Sequence, residues 1–201
     1  MVRGAILAGG EGRRLGGVDK TQVRIGGTTM LDRVVSAMRP LVDDLMLVGY
    51  RDTAPLPPGV RVVADRTPGC GPLGGLDAAL HEGEDPVLLV ACDLPHLRTP
   101  FLAHLLSRAG AIDAVVPVTA AGPHPHCAVF HPRCRDAVSR RIARRQLRLR
   151  DLLDDLTVHW VSADALLSLG GETLLTNINT PDDWAAVYPL VRPDNPTTTA
   201  S

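Results

Sequence analysis

Six short apolar runs punctuate the chain, at 2–8, 45–48, 60–64, 87–92, 114–118 and 126–130, and each is rich in Val, Ile or Leu. Runs of this length and composition predict strands. Helical patterns lie between them. Thr29 can cap a helix in which Met30, Val34, Met38, Leu41 and Val42 recur at helical spacing. A second helix is predicted over 76–81, after a Gly-Pro-Leu-Gly-Gly turn, and Thr99-Pro100 opens a third over 101–108. A fourth is predicted over 135–145. Near-continuous apolar strands such as Val87-Leu88-Leu89-Val90 need cover on both faces. The pattern predicts an α/β protein, a three-layer α/β/α sandwich on a mostly parallel central sheet.

Length and charge narrow this picture. A chain of 201 residues is most simply one domain, here 1–192, followed by a tail over 193–201 whose prolines and threonine run predict disorder. With 21 basic and 22 acidic side chains there is no global field for nucleic acid or an anionic membrane. Aromatics at 3% leave few platforms for stacking bases. Cys70, Cys92, Cys127 and Cys134 form no C-x-x-C pair, and a disulfide framework is not expected in a chain this apolar. No apolar run approaches the roughly 20 residues of a membrane span, and the first run breaks into glycines too soon for a secretory leader. The expectation is a soluble, cytoplasmic protein that binds neither nucleic acid nor membrane.

The densest chemistry follows the first strand. Leu7-Ala8 leads into Gly9-Gly10-Glu11-Gly12-Arg13-Arg14-Leu15-Gly16-Gly17-Val18-Asp19-Lys20. Glycine lacks Cβ, so such a loop can fold around an anion and aim its N–H groups at it. Arg13, Arg14 and Lys20 add charge-assisted contacts. The spacing fits neither a Walker A loop nor G-x-G-x-x-G. Because ligands of open α/β sheets bind beyond the carboxyl ends of the strands, this loop, Asp65 and Asp93 should share one rim.

The pattern L-A-G-G-x-x-x-R-x-G-G-x-D-K resembles the signature of nucleotidyltransferases that activate phosphorylated acceptors, and within them the molybdenum cofactor guanylyltransferases of the MobA-like group. The resemblance extends over roughly 3–192 and implies a Rossmann-like sheet. It implies that Leu7, Ala8, Gly9, Gly10 and Lys20 hold the nucleotide, with Lys20 and Arg14 offsetting charge in catalysis. Asp93, in Ala91-Cys92-Asp93-Leu94-Pro95, matches the family's C-D-x-P element, whose aspartate holds Mg²⁺ and touches the nucleotide. Read alone, the same residues are equally a strand-end turn braced by Pro95. Asp65 matches an aspartate that contacts the guanine nucleotide. Gly71-Pro72-Leu73-Gly74-Gly75 resembles the family's G-P-L-x-G, implying that Pro72, Leu73 and Gly74 lie beneath the base. One departure stands out: where some members carry an asparagine at the end of the second strand, this chain has Leu47-Val48-Gly49-Tyr50.

The acceptor side is read from three further segments. Asn177 and Asn179 fall on the same side of an extended stretch, matching the family's N-x-N-T-P near the acceptor. Thr180, Pro181 and Asp183 are explained by helix capping alone. His124-Pro125-His126-Cys127, with His131 and Cys134, places two histidines on one face of a predicted strand, yet the spacings match no common closed zinc site. The family's H-P element makes His124 an acceptor-site residue instead. Eight arginines fall between Arg133 and Arg150, by default a solvated basic face. An anionic phosphorylated acceptor is the better partner for Arg144, Arg145 and Arg148 than nucleic acid.

The activity so implied transfers GMP from Mg-GTP to the terminal phosphate of molybdenum cofactor, with molybdoenzymes or their chaperones as downstream partners. Two alternatives remain open. One is a CTP-dependent cytidylyltransferase acting on the same pterin or on a sugar or polyol phosphate. The other is a non-catalytic carrier or adaptor for molybdenum cofactor.

Overall fold

The apolar runs do form strands, and their pairing decides where everything else can go. A computed structural model describes residues 1–8, 20–25, 27–50 and 54–177, the Lys20 side chain excepted. In chain order the elements are β1 (Arg3–Leu7), β2 (Arg24–Ile25), β3 (Thr28–Thr29), α1 (Met30–Met38), β4 (Asp44–Val48), β5 (Val60–Val63), α2 (Gly71–His81) and β6 (Val87–Ala91). Then follow α3 (Thr99–Ser107), β7 (Ala114–Thr119), β8 (Gly122–Pro123), β9 (Cys127–Phe130), α4 (Arg135–Ala143), β10 (Val158–Val161) and α5 (Ala163–Leu167). The main sheet has the order β10-β7-β9-β6-β1-β4-β5, with β8 paired to β7. Along that path neighbours are parallel except around β9, which runs antiparallel to both β6 and β7.

Period-two alternation sends adjacent side chains to opposite faces. Ile6, Leu47, Leu88, Val90 and Val129 pack with α1, α3 and α5 on one face. Ala5, Leu7, Met46, Leu89 and Phe130 pack with α2 and α4 on the other. All five residues of β1 and of β6 are buried, so the sheet is a covered middle layer and the predicted α/β/α sandwich is correct. Each large side chain buried this way contributes roughly 1.5–3 kcal/mol.

Several element ends differ from expectation for local reasons. The Thr29 hydroxyl caps α1 by accepting the Asp32 N–H at 3.0 Å, as predicted. Leu41 belongs to a separate 3₁₀ turn, Arg39–Leu41, because Pro40, two residues past the end of α1, has no N–H to continue the helix. The stretch Gly71-Pro72-Leu73-Gly74-Gly75 is not a turn before a helix over 76–81; it is the first part of α2 itself. Pro72 is tolerated there because first-turn N–H groups have no intrahelical partner. The helix expected over 135–145 stops at Ala143, and Arg145 takes a left-handed φ of 57°. The Arg145 N–H then donates to Ile142 O and the Gln146 N–H to Arg141 O, both at 3.0 Å, a helix stop usually built on glycine. His126 lies in a turn before β9, so His124 and His126 do not share a strand face. The apolar pattern does not predict β10, α5 or the two-residue strands.

Candidate active site

Register brings four strand ends to one line. Leu7 stands opposite Val48 and Ala91, and Val48 opposite Val63. Backbone bonds lace the line one step further: Ala8 N–H donates to Val48 O at 3.0 Å and Cys92 N–H to Leu7 O at 3.1 Å. The order of strands reverses between β1 and β6, which makes the gap beyond their carboxyl ends the switch point where such folds bind ligands. Ala8, the residue before the glycine-rich segment, sits at this gap. Gly9, Gly10, Arg14 and the Lys20 side chain lie outside the described residues; the Lys20 backbone begins a 3₁₀ turn, Lys20–Gln22.

Asp65 follows β5 on the same rim, and α2 is pressed against it. A Cβ built on Gly74 would lie 2.9 Å from Cys70 Cβ and 3.9 Å from Asp65 Cγ. One built on Gly75 would lie 2.7 Å from Leu7 Cδ2 and 3.1 Å from Val48 Cγ2. The two glycines therefore let the start of α2 approach the ends of β1 and β4 closer than any side chain allows. Its far end is fastened at the opposite edge of the sheet. Arg3 donates to Ala79 O at 3.2 Å and Gly83 O at 2.6 Å, and Arg135 Nε to Leu80 O at 2.9 Å, satisfying carbonyls that a helix end leaves open. Buried Asp77, one turn along α2, accepts from Arg66 Nη1 at 3.1 Å and so steadies the turn carrying Asp65. Pro72 and Leu73 complete the same helix start, Leu73 fully buried.

Asp93 sits just past β6, half-buried, at the switch point. The imidazole of His126 lies close enough to feel its charge. Burial holds His126 below the ordinary histidine range, and Asp93 only partly opposes this, so the ring is neutral near pH 7. The carbonyl of His126 accepts from Ala91 N–H at 2.7 Å, tying this turn to the end of β6.

Beyond Asp93 the rim is built from the β7–β8 hairpin and the turn into β9. His124 Nε2 is 2.8 Å from Thr119 Oγ1. Burial above all lowers the His124 titration, Glu172 opposes this, and His126 and Arg150 add to it. Glu172 thus approaches the rim, and exposed Asn177 follows five residues later. Asn179, Thr180, Pro181 and Asp183 lie outside the described residues, as does the tail.

The histidines and cysteines do not assemble a zinc site. His131 lies at the far end of β9, where its Nδ1 accepts from Arg133 Nε at 3.0 Å. Cys127 and Cys134 are buried, and burial pushes both thiols up, Cys134 to about 12. Among the described residues no three His, Cys, Asp or Glu side chains converge to hold an ion.

The arginine run divides in two. Arg135 and Arg141 are structural, Arg141 pairing with Asp155 at 2.6 Å. Because Arg135 anchors the start of α4 at the amino edge, the helix climbs toward the carboxyl rim, and the segment after it reaches the rim at Arg150, packed against Gly122. Arg144, Arg145 and Arg148 are exposed along that ascent. The sequence reads His126 only as a zinc ligand to be set aside, Arg150 only as the end of the basic run, and Asp77 not at all. Their roles depend on packing between segments far apart in the chain.

Comparison with known proteins agrees with this geometry. A protein of Haloferax mediterranei named probable molybdenum cofactor guanylyltransferase is 33% identical over 192 residues, covering 92% of this chain and 91% of its own. A molybdenum cofactor guanylyltransferase of Desulfosudis oleivorans is 30% identical over 185 residues, 90% of this chain and 92% of its own. The crystal structure of molybdopterin-guanine dinucleotide biosynthesis protein A from Archaeoglobus fulgidus matches with a TM-score of 0.76 at 26% identity, over 92% of this chain and 95% of that one. The family model of the MobA-like NTP transferase domain matches residues 4–160, and the chain belongs to that family of nucleotidyltransferases.

Proposed function

We propose that this nucleotidyltransferase moves GMP from GTP to the terminal phosphate of molybdenum cofactor, releasing pyrophosphate and giving the guanine dinucleotide. The observation that carries this reading is the collection of Ala8, Asp65 with Gly74, and Asp93 on one strand-end line, in a chain whose full-length relatives are named for that activity. Leu7, Ala8, Gly9 and Gly10 would bring backbone to the donor, and Asp65 with Pro72, Leu73 and Gly74 would frame its base. An acceptor phosphate oxygen attacks the α-phosphorus in line; that P–O bond forms as the bond to the bridging oxygen of the β-phosphate breaks. Lys20 and Arg14 offset the charge that builds up, so catalysis is chiefly positioning and neutralisation. His124, Arg144, Arg145, Asn177 and Asn179 would hold the acceptor.

Mg²⁺ fits Asp93. The carboxylate is half-buried at the switch point beside a neutral imidazole, and an ion held by one carboxylate takes the rest of its shell from water and phosphates. Bound there, Mg²⁺ would neutralise donor phosphate charge. The test mixes purified protein, Mg²⁺ and molybdopterin, with or without molybdate, with each nucleoside triphosphate in turn, and separates the products. GTP should give a pterin dinucleotide and pyrophosphate. Equal or better use of CTP would make the protein a cytidylyltransferase, and binding without pyrophosphate release would make it a carrier.

A further inference from the structure

Arg150 differs from the other arginines of its run. A Cβ built on Gly122 would lie 2.6 Å from Arg150 Nη2, 3.2 Å from Cζ and 3.4 Å from Nη1, so the guanidinium occupies the space a side chain would take. Gly122 has a φ of +105°, so glycine suits the turn as well as the contact. It pairs with Thr119 across the β7–β8 hairpin, and Thr119 Oγ1 is 2.8 Å from His124 Nε2. Arg150 and His124 are thus mounted on one hairpin at the carboxyl rim, brought together from positions 26 residues apart.

The charge of Arg150 is also uncommitted. Arg133, Arg135 and Arg141 lie 3.8, 2.7 and 2.6 Å from Asp113, Glu84 and Asp155. Among the described residues no carboxylate pairs with Arg150, although the residue is exposed. A guanidinium seated over Gly122, with no carboxylate partner among the described residues, is placed to offer its fork of donors to a phosphate oxygen pair.

We propose that Arg150, seated over Gly122, is the cation of the acceptor subsite and, with His124, receives the phosphate monoester of the acceptor, while Arg144, Arg145 and Arg148 act as a more diffuse field. This rests on the acceptor reading above, and the test separates the two. Steady-state kinetics with GTP, Mg²⁺ and molybdopterin would compare wild type with Arg150→Met, Arg150→Lys and, as a control for lost surface charge, Arg108→Met at the end of α3. Arg150→Met should raise the acceptor KM about 10- to 100-fold, the scale of one charged hydrogen-bonded contact. Its GTP KM and Tm should stay near wild type. Arg150→Lys should recover part of the loss, and Arg108→Met should behave as wild type. A wild type that neither binds nor uses molybdopterin overturns the functional reading and this assignment with it. With an active wild type, an Arg150→Met acceptor KM equal to that of Arg108→Met, or a rise in GTP KM instead, overturns the Arg150 assignment alone.

Discussion

The two halves of the sheet make their rims in different ways. In β6-β1-β4-β5 all neighbours are parallel and four strands end in register, so Ala8, Asp65 and Asp93 are delivered to one line by backbone pairing alone. In β9-β7-β10 the antiparallel β9 turns the chain back at the rim, and what projects there is a hairpin and long side chains: Thr119, His124, His126 and Arg150. The first half is thus a rigid frame in which sites and core share atoms. The second presents charges that core packing does not need. Substitutions where α2 meets the strand ends of the first half should disturb folding and donor use together, and those in the second should move acceptor affinity and leave donor use unchanged.

The largest expected effect is at Asp93. Asp93→Ala should lower kcat by about a hundredfold or more, since charge neutralisation by a metal is worth several kcal/mol. Its melting temperature should change little, because the carboxylate is only half-buried. A folded variant with near-normal turnover would remove Asp93 from the chemistry. Next comes the glycine contact in the same half. Gly75→Val puts a branched side chain where even a Cβ would meet Leu7 Cδ2 at 2.7 Å. It should destabilise by about 1–3 kcal/mol and raise the GTP KM, which denaturant melts and kinetics would measure side by side. Loss of stability with unchanged GTP KM would separate frame from site and break the comparison.

In the second half, Arg144→Ala combined with Arg148→Ala should raise the acceptor KM several-fold and flatten its salt dependence, because exposed charges are screened within about 10 Å at 0.1 M salt. GTP affinity should hold; an equal loss of both would point to a folding defect. A smaller effect is expected on acidification of the metal-free protein. His96, His124, His126 and His131 all titrate below 6.5, burial being the first cause in each. The unfolded chain therefore takes up protons that the folded chain refuses, and stability falls as pH drops from about 7 through 6. Asp44 acts in another window: the hydrogen bond from Arg61 lowers its titration, so its contribution is full above the ordinary carboxylate range and is lost only at more acid pH. A Tm that stays flat from pH 7 to 5.5 would contradict the histidine part.

The smallest effect has opposite signs for stability and binding. Arg145→Gly should stabilise by up to about 1 kcal/mol, because Arg145 holds a left-handed φ of 57° that glycine adopts freely. The same change should weaken acceptor binding. A stabilised variant with wild-type acceptor KM would leave the strain without a functional reason.

These halves were unequally legible in the sequence. The apolar strands of the parallel half and the carboxylates after them could be read directly, because β1 and β6 are buried on both faces and carry no polar alternation to confuse the pattern. β10 escaped because its middle residues, His159 and Trp160, are exposed at the sheet edge. The start of α2 reads as a turn because glycines ordinarily punctuate; here Gly75 answers to Leu7 and Val48, contacts that exist only once the sheet has formed. The Arg150 contact with Gly122 was invisible for the same reason, since a glycine in Ala121-Gly122-Pro123 reads as an ordinary turn residue.

The most direct test of GMP transfer follows two labels from GTP in the presence of Mg²⁺ and molybdopterin. Phosphorus label at the α position should appear in a pterin dinucleotide, and label at the γ position should leave entirely as pyrophosphate. Label at the α position that stays in free nucleotide, or that passes to the pterin as well from CTP as from GTP, would contradict it.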